Sequence, residues 1–229
     1  MFSDAEWTII GLSLRVATLA TLLSLPFAVA AAYVLARWRF PGKALFDALV
    51  HLPLLLPPVL TGYWLLLLFG RQGPLGRLLE QGLGIVLAFD WTGAVLAAAV
   101  MAFPLYVRAI RLSIEAIPRE IDEMAASVGA RPWATFVHVL LPLARPGILA
   151  GMALAFAKAL GEFGATITFV SNIPGRTQTL SLAMHSLVQL PGGEAGILRL
   201  AGVSLALALG ALLVSEWMVR RSPYRRQSE

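Results

Sequence analysis

The sequence predicts an all-α integral membrane protein with five transmembrane helices, its N-terminus outside and its C-terminus inside. Three observations predict it. Of 229 residues, 58% are hydrophobic and only 14% charged, with a mean hydropathy of +0.77, whereas an ordinary soluble domain carries roughly 25% charged residues. Five apolar stretches each reach the ~20 residues that a membrane-spanning helix requires. The basic residues also fall unevenly on the two sides that five spans define. This composition excludes an ordinary cytosolic globule, and it excludes disorder, which needs low hydrophobicity and high net charge. Cysteine is absent, so there is no disulfide framework, no thiolate metal site and no Cys nucleophile.

The spans lie at about 7–36, 44–69, 85–107, 136–160 and 197–219 of one transmembrane domain covering 1–229, with a cytoplasmic loop at 108–135. The first is not a cleaved leader, because Asp4 and Glu6 stand where a positive n-region belongs and the apolar run is too long. Arg15 sits about two turns into it. A charge at a helix centre costs about 2.5–3.5 kcal/mol on insertion scales, so Arg15 needs a partner carboxylate or a snorkelling route to the interface. With the N-terminus outside, Arg37, Arg39, Lys43, Arg108, Arg111, Arg119, Arg131, Arg145, Arg220, Arg221, Arg225 and Arg226 fall inside. Arg15, Arg71, Arg77, Lys158, Arg176 and Arg199 fall outside or in the membrane, so twelve of the 18 basic residues are internal. Cytoplasmic loops carry such an excess. The pI of 10.2 is therefore topology and not a nucleic-acid footprint, since no basic stripe is interleaved with exposed aromatics.

Within the spans, Pro53, Pro57 and Pro58 break the second, while Pro26 and Pro104 interrupt the first and third, each removing a backbone donor. Gly147, Gly151, Ala155 and Ala159 form a small-residue stripe in the fourth span, and Gly202, Ala206 and Gly210 form another in the fifth. Such stripes let helices approach closely in lipid. Packing within this chain is the commoner use, and a subunit interface the alternative.

Between spans three and four runs Ile117-Pro-Arg-Glu-Ile-Asp-Glu-Met-Ala-Ala-Ser-Val-Gly-Ala-Arg-Pro-Trp133. Pro118 suits a first helical turn, and Glu120, Asp122 and Glu123 suit the positive end of a helix. Ile121, Met124, Ala125 and Val128 have the i, i+3, i+4, i+7 spacing of one apolar face. Gly129 fits a left-handed stop, and Pro132 opens a second helix carrying Trp133, Phe136, Val137 and Leu140 at the same spacing. The loop is thus two short helices at an elbow with an exposed apolar face. Helices that lie on lipid favour a basic polar face; this one is mainly acidic, so a protein partner fits better.

Glu123-Met-Ala-Ala-Ser-Val-Gly129, followed by Leu141-Pro142, resembles the EAA loop of ABC importer permeases, with Met124 replacing the first Ala of the motif. Phe40-Pro-Gly-Lys-Ala-Leu45, His51-Leu-Pro-Leu-Leu-Leu-Pro-Pro58, Gly161-Glu-Phe-Gly-Ala-Thr-Ile-Thr-Phe-Val-Ser-Asn-Ile-Pro-Gly175 and Pro191-Gly-Gly-Glu194 are similar to molybdate permeases of the ModB type. The Gly-Glu-Phe-Gly core is shared with sulfate/thiosulfate permeases. The resemblance implies a permease of the bacterial plasma (inner) membrane that moves molybdate by alternating access. It also implies a second copy of the chain, two cytoplasmic ATPase subunits and an external oxyanion-binding protein as partners. ATP and Mg would be bound by the partner ATPase, with no cofactor in this chain. Glu123, Met124, Ala125, Ala126, Gly129, Ala130 and Arg131 would dock into the ATPase. Sulfate, thiosulfate or tungstate as cargo, and a non-transporting scaffold, are the alternatives.

The residues themselves show no catalytic set. There is no GxxxxGK[ST] loop, no HExxH and no GxSxG, and His51, His138 and His185 are far apart in sequence. Glu162 is the most informative charge, lying at the outer end of span four between Gly161 and Gly164, one turn after Lys158. An exposed i,i+4 pair there is worth a few tenths of a kcal/mol. The other reading is a helix break that lines or gates a path, because irregular backbone at membrane depth is tolerated only beside protein or water. Gly161, Glu162, Phe163, Gly164, Thr166 and Thr168 are the candidates, with Glu162 structural or gating, since a carboxylate repels an oxyanion. Thr166, Thr168, Ser171 and Asn172 offer donors to an anion, or cap a loop.

Overall fold

The computed structural model of the protein describes residues 2–220. Arg221, Arg225 and Arg226 lie outside the described residues. The fold is all-helical. Helix α1 (Asp4–Arg37) starts at a capping box: Ser3 Oγ accepts from the Glu6 amide at 3.2 Å and Glu6 Oε2 accepts from the Ser3 amide at 2.7 Å. It packs along α5 (Trp91–Glu115), which Asp90 caps. Their shared seam is built from small side chains, Ala17, Ala20, Ala28 and Ala32 facing Ala94, Ala97, Ala98 and Ala102, all buried. In lipid, van der Waals contact between close backbones holds such pairs together. The polar residues of that seam are satisfied locally, with Ser13, Thr21 and Ser24 donating to the carbonyls of Ile9, Ala17 and Ala20 at 2.7–2.8 Å.

Pro26 and Pro104 do not interrupt these helices: α1 and α5 run through them without a break. A proline removes one hydrogen bond, and close neighbours at membrane depth hold both halves of a helix in line. The second span is broken as its prolines predict, and more sharply than a kink. Helices α2 (Lys43–Leu55) and α3 (Pro58–Phe69) meet at 111°. Leu56 and Pro57 each precede a proline, which drives them to extended backbone (ψ 148° and 131°). After α4 (Pro74–Leu83), Gly84 at φ +67° and Phe89 at φ +61° make a loop, so the third spanning helix starts at Trp91 and not near residue 85.

Helix α6 (Glu120–Ser127) follows α5. Helix α7 (Pro132–Thr135), a π turn (Phe136–Leu140) and α8 (Leu141–Leu143) then lead into α9 (Arg145–Leu160) across a 68° bend. A π turn and a proline, here Pro142, are common causes of such kinks. The chain closes with α10 (Gly164–Val170), α11 (Leu180–Val188) and α12 (Glu194–Arg220). Among the described residues three helices, α1, α5 and α12, are long and apolar enough to cross a membrane, and five spans result if each bent pair counts as one.

The two small-residue stripes differ. In α9 a Cβ on Gly147 would overlap Ser113, and one on Gly151 would come within 2.9 Å of the Tyr106 ring, so this stripe seats α9 on α5. In α12, Gly202 and Gly210 have nothing within 4 Å, and the helix is mostly exposed. Packing within the chain is therefore not what the α12 stripe does.

Candidate functional site

Two places in the fold concentrate polar and strained backbone. The first is the elbow. Gly129 adopts φ +78°, where a side chain is strained, and its amide donates to the Ala126 carbonyl at 3.0 Å. This left-handed residue turns the chain from α6 towards Pro132, the first residue of α7. The apolar stripe of α6 splits between two directions. Ile121 and Ala125 turn inward and are half-buried, while Met124 is 61% exposed and Val128 82%. Trp133 of α7, at 73%, joins them, but Phe136 and Leu140 are buried, and the Phe136 ring packs at a tilt against Tyr33, 4.6 Å between centroids. The exposed apolar face is thus Met124, Val128 and Trp133, narrower than the spacing alone suggests, because the second half of the repeat anchors the elbow to α1. Glu123, Ala126 and Gly129 are exposed beside it, Ala130 is half-buried and Arg131 exposed.

The end of α1 holds this elbow. Arg37, nearly buried, donates from its guanidinium to the Ile117 carbonyl at 3.0 Å, and its Nε lies 3.3 Å from Asp122 Oδ2. That second approach is an ion pair without the alignment of a hydrogen bond, since Nε has no geometric acceptor. Sequence reasoning counted Arg37 only as an inner charge; its pairing across 85 positions leaves no local signal.

The second place is where two helix breaks meet. Residues 161–163 interrupt the helix between α9 and α10, and α10 lies on α3 just past the Pro57–Pro58 break. A Cβ on Gly164 would come 2.7 Å from Pro58 Cβ, and one on Gly62 would come 2.5 Å from the Ala165 carbonyl oxygen. Glu162 is at the break and is not an exposed surface pair: its side chain is 2% accessible. Oε2 lies 2.6 Å from Lys158 Nζ, and Oε1 accepts from the Ala165 amide at 3.1 Å. The carboxylate therefore joins the end of α9 to the start of α10. Phe163 packs against His185 of α11 at 4.8 Å.

Thr166 is buried, and the Thr168 hydroxyl donates to the Gly164 carbonyl at 2.9 Å. Asn172 donates to the Leu182 carbonyl and to Ser186 Oγ, and Thr177 donates to the Ser171 carbonyl at 3.0 Å. These contacts are the loop-capping use of Ser171 and Asn172. Arg15 has no carboxylate partner among the described residues. Its guanidinium stacks over Trp91, the first residue of α5, 3.7 Å from the ring centroid.

A helical membrane protein with broken helices and an elbow offering an exposed apolar face is the architecture of a transport permease. The chain belongs to the family of binding-protein-dependent transport system inner membrane components, whose model matches residues 24–221, and it is an inner-membrane protein. It is 54% identical over 225 residues to the molybdenum transport system permease protein ModB of Escherichia coli K12, covering 98% of each chain. It is 52% identical over 216 residues to ModB of Haemophilus influenzae, covering 94% of each. A sulfate transport permease, CysW of Synechococcus elongatus, is 38% identical over 208 residues, 89% of this chain and 72% of that one. Among solved structures, the methionine ABC transporter MetNI gives a TM-score of 0.68 at 15% identity, covering 94% of this chain and 93% of that one. That likeness shows the shared permease fold.

Proposed function

We propose that this chain is the permease subunit of an ATP-driven importer for molybdate. The observation that carries the cargo is the end-to-end 54% identity to a molybdenum permease, against 38% to a sulfate permease. Two copies enclose the path, with five spans in each, the N-terminus outside and the C-terminus inside. This orientation rests on the excess of Arg and Lys on the inner side.

Two cytoplasmic ATPases bind ATP and Mg, and an external binding protein delivers the oxyanion. Met124, Val128 and Trp133 seat in the ATPase, flanked by Glu123, Ala125, Ala126, Gly129, Ala130 and Arg131. When the ATPases close, the elbow moves with them and transmits the motion through Arg37 to α1 and through the bend at Ala144 to α9. The paired breaks at Pro57–Pro58 and Gly161–Gly164 are the places where the spans change direction, so they gate the path. Glu162 holds that gate together, neutralised by Lys158, and does not ligate the anion.

The test is uptake by proteoliposomes holding the chain with its ATPase and binding protein. Molybdate uptake that depends on ATP and resists excess sulfate is the expected result. Uptake abolished by sulfate keeps the machine and reassigns its cargo. ATP hydrolysis with transport of neither anion leaves the docking elbow and removes molybdate.

A further inference from the structure

A groove of about 750 Å³ runs between α1 and α2 over α5. Leu19, Leu23 and Phe27 of α1, Leu49 of α2, and Leu96 and Val100 of α5 line it. Trp91 closes one end, with the Arg15 guanidinium stacked on its ring. Stacking occupies the face of the guanidinium and leaves its N–H donors pointing out in the plane. Arg15 has no hydrogen-bond or ion-pair partner among the described residues.

Arg15, Leu19, Leu23 and Phe27 recur every four residues, which places them on one stripe of α1, charged at one end and apolar beyond it. Because Trp91 begins α5, Arg15 is level with the start of a spanning helix. That is the headgroup depth at which Trp collects in membranes. From Arg15 to Phe27 the helix rises about 18 Å, close to the ~15 Å of one leaflet's hydrocarbon. A cation at headgroup level, above an apolar slot one leaflet long, matches one molecule in the surroundings: a phospholipid.

We propose that this groove is a binding site for a single phospholipid, its anionic phosphate on the Arg15 donors and one acyl chain laid along α1 and α5 beside α2. A second copy of this chain fits less well, because Arg15 stands beyond the end of the slot on Trp91 and the lining itself is apolar apart from Ser24 and Thr92. The site requires only that the chain lies in a membrane and is independent of the transported anion.

The experiment uses the full-length chain purified in mild detergent and phosphatidylglycerol carrying a diazirine on an acyl chain. Photolysis should attach the lipid to peptides containing Leu23, Phe27 and Val100. Diacylglycerol with the same chain, which lacks the phosphate, should label roughly tenfold less, the loss expected for one charge-assisted hydrogen bond. Arg15→Gln should lower phosphatidylglycerol labelling to the diacylglycerol level, and Arg15→Lys should keep most of it. Val100→Trp, which fills the slot and keeps Arg15, should abolish labelling at Leu23 and Phe27. Equal labelling by the two lipids, or labelling unchanged in Arg15→Gln, overturns the headgroup assignment. Chain-to-chain adducts from a benzoylphenylalanine placed at Val100 in native membranes overturn the lipid in favour of a second copy.

Discussion

Gly164 rests directly against Pro58, so that a methyl group added to Gly164 would come 2.7 Å from Pro58 Cβ. Two helix breaks far apart in sequence are thereby in contact, and the absence of a side chain at Gly164 is what lets them meet. Gly164→Leu should force α10 off α3. Overpacking of this kind costs typically about 1–3 kcal/mol, so the thermal midpoint in detergent should fall, and uptake should fall with it. Gly202→Leu is the control, because nothing lies within 4 Å of Gly202; its midpoint in the isolated chain should stay within error of wild type. Equal losses in both variants would contradict the close-approach account.

The Glu162 carboxylate separates charge from capping. In Glu162→Gln an amide oxygen still reaches the Ala165 amide, but Lys158 loses its counter-charge. In Glu162→Ala both partners are lost, and removing one member of a buried pair costs about 3–5 kcal/mol. Lys158 is 29% exposed, and water will reduce that cost. The expected order of thermal midpoints is wild type above Gln above Ala, with Lys158→Met partly restoring the Gln variant. A Gln variant as damaged as the Ala variant would assign the whole effect to the charge.

Coupling should depend on how firmly α1 grips the elbow. Asp122→Asn keeps the shape of α6 and removes the ion pair with Arg37, while Arg37→Ala also orphans the Ile117 carbonyl. With the assembled importer, both variants should hydrolyse ATP at near wild-type rates while uptake per ATP falls, more in Arg37→Ala. Glu123→Lys places a cation at the positive end of α6 and should weaken ATPase association instead. Uptake per ATP unchanged in Arg37→Ala would remove α1 from the transmission route.

Much of this was legible in the sequence because it is local. The proline-forced break at Leu56–Pro57 and the left-handed Gly129 each follow from residues within a few positions of one another. Pro26 and Pro104 misled because their effect depends on neighbours: a proline breaks a helix that stands alone, and α1 and α5 do not. The inward turn of Phe136 and Leu140 was hidden for the same reason, since periodicity shows that a face is apolar but not whether α1 or a partner covers it. Arg37 with Asp122, Arg15 with Trp91, and Asp47 with Arg111 at 3.1 Å join residues from 64 to 85 positions apart, and nothing in the spacing of one partner announces the other. The two glycine stripes looked alike in sequence. Only the packing showed that Gly147 and Gly151 are covered and Gly202 and Gly210 are not.

The loop after α10 is held to the start of α5 through Asp90, and that contact should respond to acid. Burial acts to raise the Asp90 carboxyl. Hydrogen bonds from the Thr92 hydroxyl and amide and from the Arg176 guanidinium at 3.2 Å outweigh it, and hold the group below its ordinary value of 3.8. A carboxyl whose folded value is depressed stabilises the fold fully above its unfolded value, and loses that contribution as the pH falls through the folded one. The contact is therefore complete at neutral pH and weakens only below about pH 3.8. Arg176 is 61% exposed, so the ion-pair part should be small and screened by salt, while the Thr92 cap should persist. Amide exchange at Thr92, corrected for its intrinsic pH dependence, should accelerate on acidification through that range in wild type. Asp90→Asn, with no carboxylate to protonate, should show no such step and a uniformly faster exchange. An acid step retained in Asp90→Asn would place the titrating group elsewhere.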